Sequence, residues 1–204
     1  MKIVMDAERF ERGYDAGTYV ANLRNYRSFV KQLMGEAVAH SGHVSELYGA
    51  LEQWEQPVRA TMMTEDWCGD SACNVPILAD LFEKAGIPFR VFRGSEENEL
   101  KKMYESEGDT HIPAVSLWEG SGAEIARWIE APQAVQGKKD QWKADHPRFN
   151  ELYKKQNEDK KSAKQFASLY RRFLEDMAGW YKGGMWSETT GEIVTMVKEA
   201  AGKA

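Results

Sequence analysis

The chain has two cysteines, Cys68 and Cys73, and both lie in the stretch Thr64-Glu65-Asp66-Trp67-Cys68-Gly69-Asp70-Ser71-Ala72-Cys73. An apolar run, Val58 to Met63, leads into this stretch and reads as a buried strand. The run that follows, Val75 to Ala85, has a helical period. A strand, a short turn, a cysteine and then a helix put the Cys68 thiol at a helix N-terminus. There the unpaired backbone N–H groups and the helix dipole favour thiolate over thiol, by about 0.3–2 kcal/mol. Asp70 is a nearby negative charge that works against ionisation, and Ser71 is placed to donate a hydrogen bond to the sulfur. Glu65 and Asp66 border the thiol and could relay protons, although solvated turn acids are the plainer expectation for both. Trp67 is expected partly exposed, as a flat surface for substrate. Cys73 is rotated about 140° from Cys68 on a helix. A Cys68–Cys73 disulfide would therefore require the first helical turn to unwind. Cys73 reads first as a small buried hydrophobe.

Trp67-Cys68-Gly69-Asp70-Ser71, with Pro76 five residues after Ser71, resembles the active-site segment of thioredoxin-like proteins, Trp-Cys-Gly-Pro-Cys followed by a helix proline and Ile-Leu. Without a gap, Cys68 falls on the nucleophilic cysteine, Pro76 on the helix proline and Ile77-Leu78 on the apolar pair. The closest likeness is to bacterial thioredoxin-like proteins with a Trp-Cys-Gly-Asp element in a longer, helix-rich chain, and it covers roughly residues 57–130. The sequence departs from the family pattern at three places. Ser71 stands at the resolving cysteine, Asp70 replaces the intervening proline, and Met62 stands where thioredoxins keep a buried acid. The motif is thus Cys-x-x-Ser, which lacks the second thiol that normally releases a mixed disulfide.

The resemblance also gives a role to Thr110-His111-Ile112-Pro113-Ala114. In the family, the proline that starts this strand is cis and sits against the nucleophilic cysteine. Pro113 and the backbone of Ile112 would then receive an extended substrate, as a short strand addition. His111 would lie beside the Cys68 sulfur, able to favour thiolate as a cation or accept a proton when neutral. With Trp67, Gly69 and Asp70, Ile112 and Pro113 complete the expected substrate contacts.

The elements that must hold these residues follow from pattern. Residues 14–39 read as one helix, with Tyr19, Leu23, Tyr26, Val30 and Leu33 as a core-facing stripe. His40-Ser41-Gly42-His43 breaks it, and both histidines read as solvated loop residues rather than ligands. A second stripe, Val44, Leu47, Tyr48, Leu51 and Trp54, ends before Pro57. Then come strand Val58–Met63, helix Ser71–Ala85 closed by Gly86, strand Ile87–Phe92, helix Asn98–Glu105, strand Ala114–Trp118, a turn over Glu119–Gly122 and strand Ala123–Ile129. This order implies a parallel pair with a right-handed crossover, closed by an antiparallel hairpin. Gln133–Lys143 reads as a polar loop and Pro147 as a helix start. A strongly amphipathic helix carries Phe166 to Met177, Gly183-Gly184 breaks it, and a last helix carries Ile193, Val194 and Val197.

The expected fold is α/β, a thioredoxin-like mixed sheet flanked by helices. An N-terminal helical extension (1–56), a core (57–131) and a C-terminal helical extension (132–204) divide it. The extensions could restrict access to Cys68 or provide a homodimer face.

Composition bounds the partners. In 204 residues, 42% hydrophobic and 29% charged, the net charge is −5. That is a globular composition with no basic patch for nucleic acid, no membrane span and no signal-peptide pattern at Met1–Gly13. Two cysteines close in sequence give no disulfide framework, so a reducing cytoplasm is the expected setting. No cofactor or metal is expected.

The leading functional expectation is a thiol–disulfide oxidoreductase acting through one thiolate, Cys68, on protein or low-molecular-weight thiols and disulfides. Two alternatives stand beside it: a non-catalytic thioredoxin-fold binding module, and a peroxidase using a Cys68–Cys73 disulfide.

Overall fold

The structure is a computed structural model that describes residues 4–40, 42–52, 54 and 57–202; Ser41 of the expected helix break lies outside them. Its centre is a four-stranded sheet in the order β2-β1-β3-β4, with β1 at Arg59–Thr64, β2 at Phe89–Arg93, β3 at Ala114–Trp118 and β4 at Glu124–Ile129. β1 pairs parallel with β2 and antiparallel with β3, and β3 pairs antiparallel with β4. This is the mixed sheet expected from the sequence.

Strand alternation divides the core into two faces. On one face, Ala60, Met62, Val91, Val115 and Leu117 join the main hydrophobic cluster. On the other, Met63, Phe92, Ala114 and Trp118 pack with Leu100, Met103 and Tyr104 of helix Asn98–Ser106. The polar atoms of the second face are satisfied internally: Trp118 donates to Thr61 Oγ1 at 2.8 Å, and the Tyr104 and Ser116 hydroxyls pair at 2.7 Å.

The helices are α1 (Ala7–Glu11), α2 (Ala16–Ala21), α3 (Arg27–Ala37), α4 (Val44–Leu51), α5 (Gly69–Lys84), α6 (Asn98–Ser106), α7 (Gln133–Asp145), α8 (Arg148–Lys155), α9 (Lys160–Trp180) and α10 (Trp186–Ala201). No described helix is long and apolar enough to cross a membrane. The main cluster draws on all three expected stretches: Tyr19, Leu33 and Leu47, then Met62, Leu78 and Val115, then Phe173, Trp186 and Val197.

Three expectations about the helices are corrected. The single helix over 14–39 is broken into α2 and α3, with Tyr26 in the left-handed region at φ 55°. Tyr19, Leu23, Val30 and Leu33 are still buried as one stripe. The break frees backbone groups for tertiary use: the Arg24 N–H donates to Asp66 at 3.2 Å, and the Asn22 carbonyl accepts from Arg93 at 3.1 Å. Tyr48, expected on an apolar stripe, is 62% exposed.

The polar stretch Gln133–Lys143, expected as a loop, is most of helix α7. Its buried seam is Val135, Lys139 and Trp142. The i, i+4, i+7 spacing is helical, but the central residue is a lysine, so hydrophobicity alone does not reveal it.

Of the histidines expected to be solvated, His40 is exposed and His43 is half-buried, and each has a neighbour in the last helix. His43 Nδ1 lies 2.8 Å from Thr190 Oγ1, and the His40 ring packs 5.1 Å from Trp186. Just before Trp186, the Gly183-Gly184 break is a kink carried by Gly184, whose φ of 132° suits a residue without Cβ.

Candidate functional site

β1 ends at Thr64, and α5 begins at Gly69. Cys68 is the residue immediately before α5, with extended backbone, and it caps that helix. Its thiol donates to the Ile112 carbonyl at 3.5 Å. The Ile112–Pro113 peptide bond is cis. A buried hydroxyl pair, Ser71 with Thr64, locks the turn from below. Pro76 lies inside α5, as the aligned helix proline would.

The electrostatics of the thiol differ from the expectation. Cys68 is 7% exposed, and the free space against it, lined by Tyr19, Leu23, Val30, Asp66, Ser71 and Val75 among others, is about 10 Å³. That is room for about one water. Burial, and then the charge of Asp70, push the Cys68 thiol up to about 11. The Ser71 hydroxyl and the backbone N–H groups of Ser71 and Asp70 act in the opposite direction, as expected of a helix N-terminus, and are outweighed. A dipole contribution worth about 0.3–2 kcal/mol does not offset loss of solvent around a thiolate.

The roof over Cys68 and Gly69 comes from both helical extensions. Tyr19, Leu23 and Val30 cover one side. α9 covers the other, where a Cβ at Gly69 would come within 2.7 Å of Leu174 Cδ2 and 2.8 Å of the Tyr170 hydroxyl oxygen. That hydroxyl also donates to the Trp67 carbonyl at 3.5 Å. Trp67 itself is 59% exposed, beside this roof. Of the residues expected to contact substrate, Trp67 is open, the Ile112 carbonyl meets the thiol just before the cis bond to Pro113, Gly69 is covered and Asp70 is half-buried.

The acids around the motif are paired. Asp66, expected as a solvated turn acid or proton relay, is buried, and its Oδ1 accepts from Arg93 Nε at 2.8 Å. The Arg93 guanidinium also lies 4.8 Å from the Tyr14 ring centre and 5.4 Å from that of Tyr19. Glu65 accepts from the Ser95 backbone N–H at 2.6 Å and from its hydroxyl at 3.1 Å, closing the loop after β2. His111, expected beside the sulfur, turns its exposed ring toward Glu130 at 3.6 Å; the neighbouring Ile112 carbonyl is what reaches Cys68. Asp70 is ion-paired with Lys139 of α7 at 2.9 Å, and Lys139 also binds Glu130 at 2.7 Å.

Cys73 is fully buried among the apolar residues of the main cluster, and burial raises its thiol well above the ordinary range. Its carbonyl accepts from Trp186 Nε1 at 2.8 Å, which ties α5 to α10. Both cysteines are free thiols.

Four residues of the site, Arg93, Lys139, Tyr170 and Leu174, have no motif around them. Tyr170 and Leu174 lie on the amphipathic helix read from Phe166 to Met177, and Lys139 in the stretch read as a polar loop, but no spacing tied any of the four to Cys68.

A family model described as thioredoxin matches residues 16–143, well beyond the 57–130 covered by the motif resemblance. No curated protein matches the chain. Among solved structures, a protein of unknown function from Pseudomonas aeruginosa superposes with a TM-score of 0.60 at 18% identity, over 96% of this chain and 98% of that one. An HIV epitope-scaffold superposes with a TM-score of 0.50 at 26% identity, over 64% of this chain and 79% of that one.

Proposed function

This chain belongs to the thioredoxin family, and from that premise we propose that it exchanges thiols and disulfides through a single cysteine, Cys68. The observation that carries this reading is the placement of the Cys68 sulfur between the first turn of α5 and the Ile112 carbonyl, directly before cis Pro113. As a thiol, Cys68 donates to Ile112. As a thiolate, it accepts from Ser71 and from the Asp70 and Ser71 backbone N–H groups.

The exchange balances with one thiol. The Cys68 thiolate attacks one sulfur of a disulfide, a new S–S bond forms to Cys68, and the other sulfur leaves as a thiolate. A second thiol, protein-borne or small, attacks the mixed disulfide and returns Cys68. Ser71 stabilises the sulfur but cannot resolve the intermediate, so an external thiol is part of the cycle. Partners are therefore protein or low-molecular-weight thiols and disulfides, in a reducing compartment such as the cytoplasm.

A second reading, a thioredoxin-fold binding module without turnover, draws support from the burial of the thiol and from the cover that Tyr170 and Leu174 place over the adjoining Gly69. The discriminating experiment measures reduction of hydroxyethyl disulfide with glutathione as resolving thiol, for the wild type and Cys68→Ser. Turnover lost in the variant supports exchange. Absence of turnover in the wild type, even under conditions where Cys68 alkylates, removes the oxidoreductase reading and leaves the binding module.

A further inference from the structure

Helix α9 has two faces with different surroundings. Tyr170 and Leu174 turn one of them to Gly69. Gln165, Ser168, Leu169 and Arg172, at spacings of three and four, form a second stripe. At about 100° per residue, that stripe lies on nearly the opposite side of the helix. It lines a groove of about 610 Å³, whose other wall is the start of α8 and the residue before it, with His146, Pro147, Arg148 and Leu152. The volume falls in the range of small-molecule sites. Because α9 stands between the groove and Gly69, the groove is separate from the thiol site.

The groove is apolar at its base and cationic at its rim. Leu152 is buried and Leu169 half-buried, whereas Arg148 and Arg172, one on each wall, are exposed. Among the described residues, no carboxylate lines it. The acids of the neighbouring helices are engaged elsewhere. Glu151 accepts from Lys155 at 2.9 Å, Glu175 from Arg171 at 3.1 Å, Asp176 from Trp142 Nε1 at 2.8 Å and Asp145 from Gln141 at 2.9 Å. Neither Arg148 nor Arg172 has an ion-pair partner among the described residues. In a chain of net charge −5, two guanidinium groups facing one groove without an acid reverse the local sign.

The polar groups are also held in place. Arg148 Nη2 donates to Gln165 Oε1 at 3.2 Å, which ties the two walls together and leaves the Gln165 amide nitrogen as a donor. The His146 ring is stacked on Trp142, with 3.9 Å between ring centres, and its Nδ1 lies 2.8 Å from the Trp142 carbonyl. A carbonyl only accepts, so Nδ1 carries a proton and the ring is fixed from two sides. Helix α8 begins without a side-chain cap, and Arg148 stands in its first turn. A cation there opposes the helix dipole, whereas an anion at the same end is favoured by both.

We propose that this groove binds a small amphiphilic anion, an oxyanion head on an apolar body. Arg148 and Arg172 take the head, Gln165 and Ser168 add neutral hydrogen bonds, and Leu152 and Leu169 take the body. The guanidinium fork suits a carboxylate and a phosphate monoester alike, so the shared chemistry is an apolar chain that ends in either group.

The test follows backbone amide signals of the full-length protein by NMR during titration with octanoate and with octyl phosphate. Octanol and octyltrimethylammonium serve as the uncharged and cationic counterparts. Saturable shifts at Gln165, Ser168, Leu169 and Arg172 are expected for at least one of the anions. Octanol is expected to bind about tenfold more weakly or less, as the loss of a charge-assisted hydrogen bond implies, and octyltrimethylammonium not at all. Whichever of octanoate and octyl phosphate binds more tightly identifies the head as carboxylate or phosphate.

Arg148→Gln and Arg172→Gln change exposed side chains, and an unchanged amide spectrum away from the groove verifies their fold. Each is expected to weaken the tighter anion about tenfold. An affinity unchanged in either variant, octanol binding as tightly as the anions, shifts confined to other parts of the chain, or no saturable shift at millimolar concentration overturns the proposal. None of these readouts involves Cys68, so the outcome is independent of whether the protein exchanges disulfides.

Discussion

Tyr170 lies over Gly69 so closely that a Cβ at residue 69 would come within 2.8 Å of the Tyr170 hydroxyl oxygen. Helix α9, from the C-terminal part of the chain, thus covers the first turn of α5, next to the thiol at position 68. Several consequences of this closure can be measured.

Gly69→Ala is expected to force α9 away from α5, because Leu174 Cδ2, at 2.7 Å, obstructs the added methyl as well. Overpacking of this kind costs about 1–3 kcal/mol. Urea unfolding should show that loss, and Cys68 should alkylate faster than in the wild type. A variant as stable and as slowly alkylated as wild type would mean that α9 does not seal the site.

Tyr170→Ala removes part of the roof without adding bulk. Burial is the largest influence holding the Cys68 thiol up at about 11, so admitting water should bring it down toward its ordinary value. Alkylation rates followed across roughly pH 7 to 12, a range that takes in both the ordinary thiol value and about 11, should shift their midpoint to lower pH. An unchanged midpoint would assign the burial to Tyr19, Leu23 and Val30 instead.

Asp66 and Arg93 form a buried ion pair at 2.8 Å, with side-chain exposures of 6% and 4%. Asp66→Asn strands the guanidinium, and Arg93→Met strands the carboxylate. Each single change is expected to cost about 3 kcal/mol in a urea titration, and the double variant less than the sum of the two. Glu96, 3.3 Å from Arg93, softens the first of these, and Arg24, whose backbone N–H donates to Asp66 at 3.2 Å, softens the second. Strict additivity would show that the pair is not coupled.

The thiol also links stability to alkaline pH. Cys68 is raised from an ordinary value near 9 to about 11 in the folded chain. Between those values the unfolded chain has lost the proton and the folded chain keeps it. Its stabilising contribution is therefore complete below about pH 9 and is lost as pH rises toward about 11. Unfolding free energies measured across this window should fall more steeply for wild type than for Cys68→Ala, and Cys73, raised in the same direction, should account for part of the slope that remains. Identical slopes would mean that Cys68 ionises normally in the fold.

Local chemistry alone carried much of this. The strand–turn–helix around Cys68, the turn at Gly122 and the termination of α5 at Gly86 follow from short-range rules, because apolar period and glycine conformation act within a few residues. β3 ran as expected over Ala114–Trp118, and the other strands lay within two residues of expectation. Reading Gln133–Lys143 as a loop failed because the seam residue at its centre, Lys139, is buried by partners 69 and 9 positions away, Asp70 and Glu130. The helix over 14–39 failed for a similar reason: Asp66 and Arg93, distant in sequence, recruit its backbone groups.

The sequence by itself determined that a cysteine caps a helix at the end of a buried strand, in a chain whose order of elements closes into a mixed sheet. Only the tertiary structure decided how that cysteine ionises. Solvent exclusion around a sulfur is a property of everything packed against it, and here the space against it is lined by Tyr19, Leu23 and Val30 from before the motif, while Tyr170 and Leu174, a hundred residues after it, close over the adjoining Gly69. A helix terminus is a local cause, and burial, a non-local one, outweighs it.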